Sequence, residues 1–312
     1  MVGLIPIPQV AGIVVAPDLS KVFAADSNDD LIYDINELTL YATPIPLQHN
    51  DGPDGLAYDQ SDHVVFVSNP GNPPNPDQSQ IVERENQNET VIDALTDKVI
   101  ARIPLGIDGQ WGDDVGHVRF DPGLHRIFVT VQQLPDPDDP NPNLLPPPGT
   151  ARLVEIEPFT HRDHRTHRIL REFRIVTRLT LPDACFTPHG MAIDTEAHIA
   201  FIACIDANPP SLLRVDLTTM QVIQEPPWPV AEKPDILVID HPLHLLYVAC
   251  GAGIAIFQYN GQSLHWLATY TFGFDTHTIA VNEVTHQIYL PLVRVGNRPV
   301  LRIMQYNAND PT

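Results

Sequence analysis

The sequence predicts an all-β chain, a six-bladed β-propeller with four antiparallel strands in each blade, and three observations predict it. A two-strand pattern recurs six times: a short apolar segment ending in an acidic or small residue, a turn, then a second segment with an aromatic at a fixed place. The first segments begin at residues 12, 55, 117, 190, 236 and 278, with spacings of 43, 62, 73, 46 and 42; the short spacings match a bare blade of about 40–50 residues. Between copies there is room for two more strands, which makes four per unit.

In chain order, the first copy is 12–16 with 20–26. The second reads Pro53-Asp54-Gly55-Leu56-Ala57-Tyr58-Asp59 and then 63–69, with outer strands at 90–93 and 98–105. The third has His117-Val118-Arg119-Phe120-Asp121 and 125–131, and the fourth has His189-Gly190-Met191-Ala192-Ile193-Asp194 and 198–204. The fifth is 235–240 with 244–250, and the sixth is 277–282 with 286–292. Short apolar and β-branched runs bounded by turn residues read as strands, and two runs so close together read as a hairpin. After the sixth hairpin one strand remains, at 300–306, while residues 3–7 match the fourth strand at 101–105. The N-terminal strand is therefore expected to complete the last blade and close the ring, leaving no sheet edge unpaired. Residues 1–312 are expected to form one domain.

Charge narrows the partners. Lys plus Arg number 18 against 39 Asp plus Glu, a net charge of −21, which repels phosphate backbones and anionic headgroups. Nucleic acid and membrane are excluded as expected partners, and no apolar run approaches the roughly 20 residues a spanning helix needs. The N-terminus lacks a basic region followed by an apolar stretch, so a cytoplasmic protein is expected unless a leader has been removed. Cys185, Cys204 and Cys250 are an odd count without Cys-x-x-Cys spacing. That argues against a disulfide framework and a thiolate zinc site, and favours a reducing compartment.

The 32 prolines concentrate in the connections between second and third strands, at 69–88 and 132–150. Both connections emerge on the face from which the innermost strands are entered. Proline-stiffened loops lose less entropy on ordering, so they are expected to wall a pocket for a small molecule or to receive a protein partner. The alternative is plain surface insertion.

The 14 histidines fall into three sets. His63, His125, His198, His244 and His286 share the turn before the second strand, which marks a structural repeat position. His161, His164 and His167 lie with three arginines in an outer hairpin, as a solvated tip or an opportunistic metal binder. The third set emerges on aligning the residue before each innermost strand: Ala11, Asp54, Gly116, His189, Asp235 and His277, with His117 one place later. Four of the six are Asp or His, ligand types for a divalent cation, and a circle of blades would bring them together at the channel mouth. Asp-Gly and His-Gly also serve simply as turn residues. Trp111 with Asp113 and Asp114, Cys185 with Phe186, Trp228, and Phe272 with Phe274 are expected to surround the mouth or to pack between blades.

The segments Phe66-Val67-Ser68-Asn69 and Phe128-Val129-Thr130-Val131 resemble the aromatic-Val-Thr-Asn consensus of YVTN and NHL-type propellers, a resemblance covering essentially the whole chain. Around Asp54 the Asp-Gly segment resembles that of the senescence-marker-protein/gluconolactonase family, metal-dependent six-bladed lactonases, which implies Asp54 as a ligand. Pro188-His189-Gly190 resembles the Pro-His-Gly segment of peptidylglycine amidating lyase, which implies zinc held by histidines such as His189, His277 and His117. The first blade has Ala11-Gly12 where the lactonases carry glutamate.

The expected activity is metal-dependent hydrolysis of a small lactone or ester at the channel mouth. Zinc or calcium would be held by Asp54, His189, Asp235 and His277, with His117 and Asp114 as catalytic acid–base groups. A zinc-dependent lyase and a non-catalytic YVTN-type binding propeller stay open beside it.

Overall fold

The computed structural model describes residues 5–7, 10–49, 51–71, 87–105, 113–133, 151–162, 169–185, 187–223, 228–260, 263–272, 276–295 and 298–307. The chain divides into two compact units, Met1–Thr180 and Leu181–Thr312, and each holds three of the six sheets.

In the first unit, blade 1 is β1 (Val10–Ala16), β2 (Lys21–Asp26), β3 (Leu31–Asn36) and β4 (Ala42–Pro46). Blade 2 is β5 (Leu56–Asp59), β6 (Val64–Asn69), β7 (Asn88–Asp93) and β8 (Lys98–Pro104). Blade 3 is β9 (Asp113–Asp121), β10 (Arg126–Gln133), β11 (Arg152–Arg162) and β12 (Ile169–Thr180). Each is an antiparallel sheet in simple meander order.

In the second unit, blade 4 is β13 (Pro188–Asp194), β14 (Ile199–Cys204), β15 (Ser211–Asp216) and β16 (Gln221–Val222), with β17 (Trp228–Pro229) also pairing β15. Blade 5 is β18 (Leu237–Asp240), β19 (Leu245–Cys250), β20 (Gly253–Tyr259) and β21 (Leu264–Thr271). Blade 6 contributes β22 (Ala280–Asn282), β23 (Gln287–Val295) and β24 (Arg298–Gln305), one strand beyond its hairpin as the sequence indicates. Of the segment expected to complete it, residues 3–4 lie outside the described residues.

Second strands are near-continuous apolar runs because neighbouring blades cover both of their faces. β6, β14 and β19 are buried throughout. In the first five blades the recurrent aromatic of these strands, Phe23, Phe66, Phe128, Phe201 and Tyr247, is at most 1% exposed, and each such ring stabilises the stack by about 1.5–3 kcal/mol; Tyr289 of the sixth is half-buried. Fourth strands are largely solvated, as in β8 and β21, and so is β24, the outermost described strand of blade 6. Blades 1 and 2 share a core around Phe23, Leu56, Val65 and Val67, and blades 4 and 5 share one around Phe201, Leu237, Val248 and Phe257.

The repeated histidines owe their recurrence to backbone geometry. His63, His125, His198, His244 and His286 have φ of 52–58°, and Ser20 holds the first blade's equivalent place at 53°. Four residues before each histidine stands an Asp or Asn, and in blades 2, 3, 4 and 6 its side chain closes the turn. Asp59 Oδ1 accepts from the Ser61 and Asp62 amides at 2.8 and 3.2 Å, and Asn282 Oδ1 accepts from the Val284 and Thr285 amides at 3.0 Å. Asp-x-x-x-His is thus an Asx turn closed by a residue that tolerates left-handed backbone.

One expectation fails. Cys185, in the short 3-10 turn Asp183–Cys185, is disulfide-bonded to Cys204 at the end of β14, with Cα atoms 4.8 Å apart. Sequence spacing missed it because Cys185 lies in the connection between repeats and is brought to the strand end only by the fold. The bond also removes the ground for a reducing compartment. Cys250 is a buried free thiol, pushed up to about 12 by burial, which keeps it protonated and inert.

Candidate metal centre

The residues aligned before the innermost strands occupy one structural place. In blades 2 and 5 that residue pairs with the penultimate residue of the second strand. The Asp54 amide donates to Ser68 O at 2.9 Å and the Ser68 amide to Gly55 O at 2.8 Å. Likewise the Asp235 amide donates to Ala249 O at 2.8 Å and the Ala249 amide to Ile236 O at 2.9 Å. In blades 1, 3 and 4 the same place is a β-bulge, between Val10 and Ile13, opposite Val129–Val131, and between Pro188 and Met191. A bulge frees a residue from the ladder and re-aims its side chain, and here it re-aims His117 and His189.

The glycine that follows is required by close packing between blades. A β-carbon on Gly12 would lie 1.9 Å from Asp54 O, and one on Gly190 would lie 1.6 Å from Asp235 O. The backbone of one blade therefore rests on the carbonyl of the next blade's aspartate, which brings successive members of the aligned set side by side.

In the second unit two of the predicted ligands, His189 and His277, gather around the carboxylate of a third, Asp235. His277 Nδ1 stands 2.9 Å from Asp235 Oδ2, and His189 Nε2 stands 3.5 Å from Asp235 Oδ1. Side-chain exposure is 15% for Asp235, 20% for His189 and 64% for His277, so the cluster opens to solvent on the His277 side. Asp235 Oδ1 is buried and accepts no hydrogen bond.

In the first unit, ligand atoms of Asp54 and His117 lie within 4.8 Å of each other. His117 is buried, its amide donating to Thr130 Oγ1 at 3.0 Å. Asp114 is on β9, but its side chain lies outside the described residues, as do Trp111, Phe186, Phe274, His164, His167 and most of both proline-rich loops. Trp228 packs on the core shared by blades 4 and 5. Phe272 lies under the Arg302 guanidinium, 4.5 Å from its ring centroid.

Sequence reasoning missed a buried polar patch at the same end of blade 2. Asn69 Nδ2 donates to Asn88 O at 3.2 Å and Thr90 Oγ1 at 2.9 Å. Arg102 Nη1 donates to the fully buried Asp51 at 2.6 Å, and Ser68 Oγ donates to Glu89 Oε1 at 2.6 Å. Burial raises the Glu89 carboxyl to about 8, opposed only by the Ser68 hydroxyl. Asn88, the acceptor of the Asn88-Glu89-Thr90 sequon, is itself buried here.

Strand order, blade count and the repeated turn define the chain as a six-bladed β-propeller protein. Solved structures with which it shares this fold include a functionally unknown protein from Desulfotomaculum acetoxidans DSM 771, at TM-score 0.62 and 11% identity over 96% of this chain and 90% of that one. Kuenenia stuttgartiensis hydrazine synthase matches at 0.61 and 12% over 92% of this chain and 74% of that one. The β-propeller domain of Myceliophteria thermophila Cps50 (Swd1) matches at 0.61 and 10% over 96% and 87%. At such identities the likeness is one of fold alone. No protein-family model and no curated protein matches the sequence, and no helix is long and apolar enough to cross a membrane.

Proposed function

We propose that the protein is a metal-dependent hydrolase of a small lactone or ester, with a divalent cation held by His189, Asp235 and His277. The carrying observation is the Asp235 carboxylate, whose two oxygens face two imidazoles while Oδ1 accepts no hydrogen bond. Each imidazole nitrogen stands near the roughly 3.3 Å that separates adjacent ligands of a tetrahedral ion with bonds of about 2.0–2.2 Å, at 2.9 and 3.5 Å from the two different oxygens of Asp235. A cation bound there would supply Lewis acidity toward a substrate carbonyl. His277 is the most exposed of the three, so the cluster is open to substrate on its side. From their places in the sequence repeat, Asp54 is proposed as a metal ligand and His117 and Asp114 as acid–base groups.

A second reading, a non-catalytic propeller that binds its ligand on the same face, is favoured by the His277–Asp235 pair itself. At 2.9 Å a protonated imidazole satisfies that carboxylate without a metal. Elemental analysis of purified protein before and after chelation, on wild type and a His189→Ala/His277→Ala double variant, decides between them. Near-stoichiometric zinc or calcium lost in the variant, together with hydrolysis of a lactone or ester panel, supports the enzyme. Equal metal content in both proteins, before and after metal is supplied, overturns it in favour of the binding propeller.

A further inference from the structure

We propose a second divalent-cation site, formed by Asp59, Asp62 and His125 at the junction of blades 2 and 3 and specific for a first-row transition metal. Asp59 ends β5, Asp62 lies in the turn that follows, and His125 reaches them from the turn before β10. Its Nε2 stands 3.4 Å from Asp59 Oδ2 and 3.1 Å from Asp62 Oδ2, and the three ligand atoms all lie within 4.8 Å of one another. Those separations bracket the roughly 3.3 Å between neighbouring ligands of a tetrahedral zinc-type ion.

A second observation points to a ligand. Asp59 is fully buried. Its Oδ1 is committed to the turn, accepting from the Ser61 amide and hydroxyl and the Asp62 amide, while its Oδ2 accepts no hydrogen bond. His125 Nε2 is likewise buried without a hydrogen bond. Two buried polar atoms that make no hydrogen bond thus face each other at 3.4 Å, with a second carboxylate 3.1 Å from the imidazole, an arrangement that is costly unless a positive charge joins it.

Comparison with other junctions sharpens the case. His286 meets the buried Asp240 through Nδ1 at 2.9 Å, an ordinary hydrogen bond. His63 Nδ1 meets Asp18 at 3.1 Å and the Tyr58 hydroxyl at 3.0 Å. At the junction of blades 2 and 3 the imidazole instead turns Nε2 inward, edge-on to Phe120 at 6.0 Å, and gains Asp62. Two carboxylates and a neutral imidazole balance a dication. One nitrogen among only three protein ligands suits zinc or cobalt over calcium, which takes six to eight oxygens.

The test adds zinc or cobalt to wild type, Asp62→Asn and His125→Asn, and reads bound metal by elemental analysis and cobalt by its visible ligand-field absorption. Asparagine tolerates the 53° φ of residue 125, and circular dichroism checks folding of both variants. The expected result is one equivalent fewer in each variant, with the tetrahedral cobalt signal of this site lost. The same loss on the His189→Ala/His277→Ala background separates this site from the one at Asp235, whose failure would leave this result unchanged. Undiminished uptake in both variants, or no uptake in any protein, overturns the proposal.

Discussion

Gly190 rests against the carbonyl oxygen of Asp235 so closely that a β-carbon would stand 1.6 Å from it. This contact between the first strands of blades 4 and 5 brings His189 beside the Asp235 carboxylate. Gly190→Ala is therefore expected to force the two strands apart and to lower stability by at least about 2 kcal/mol, at the upper end of overpacking costs. Gly55→Ala is the control, since its β-carbon would meet its nearest neighbour, His117 Cα, at 3.4 Å. Urea unfolding midpoints of the two variants should differ clearly, and equal midpoints would remove the packing explanation for the glycine.

The repeated histidine turn makes a backbone prediction. His244 has φ 53°, a conformation asparagine shares readily and a β-branched residue does not. His244→Asn and His244→Val both lose the edge contact with Tyr259 at 5.7 Å, so their difference isolates the backbone. The valine variant should be less stable than the asparagine variant by about 1–3 kcal/mol in chemical denaturation. Equal stabilities would mean that the ring and not φ selects histidine there.

How much was legible in the sequence follows from which strands repeat. Second strands are largely buried against like strands and each first strand pairs with one, so the two carry one pattern six times over, even where the first strand is as exposed as β1 or β22, and blade boundaries can be read from it. Asp54, His189, Asp235 and His277 could be aligned for the same reason, and the Asp235 contacts to His189 and His277 follow from that alignment. Third strands carry no such pattern. Nothing local distinguishes Glu89, fully buried, from a solvated strand glutamate. Asp62 and His125 are 63 residues apart and meet only because the turns of adjacent blades are stacked. Cys185 lies in an insertion that no repeat describes.

The Cys185–Cys204 bond closes a loop with a sequence separation of 19 residues, for which chain-entropy arguments give about 3 kcal/mol. A Cys185→Ser/Cys204→Ser double variant should unfold at correspondingly lower denaturant. Thiol titration of unfolded wild type should count one group, Cys250, before reduction and three after it. Three reactive thiols before reduction would show that the bond is not formed.

Glu89 makes stability fall as pH rises. Its carboxyl is fully buried, and desolvation raises it from 4.5 to about 8. Below about 4.5 both folded and unfolded chains carry the proton and the group is neutral to stability. Between 4.5 and 8 the unfolded chain releases the proton while the folded chain keeps it, so the unfolded state gains with each pH step; above 8 both are ionised and the loss levels off. Glu89→Gln keeps a neutral side chain of the same shape at every pH and should escape this loss, while Gln Oε1 can still accept from Ser68 Oγ. Unfolding free energies of the two proteins, measured in parallel from pH 5 to pH 9, should diverge by a few kcal/mol in favour of the glutamine variant, with most of the divergence complete by about pH 8. Taking the difference between the proteins removes the titration of every other group. Parallel curves would mean that Glu89 is ionised in the folded chain, with a compensating cation beside it.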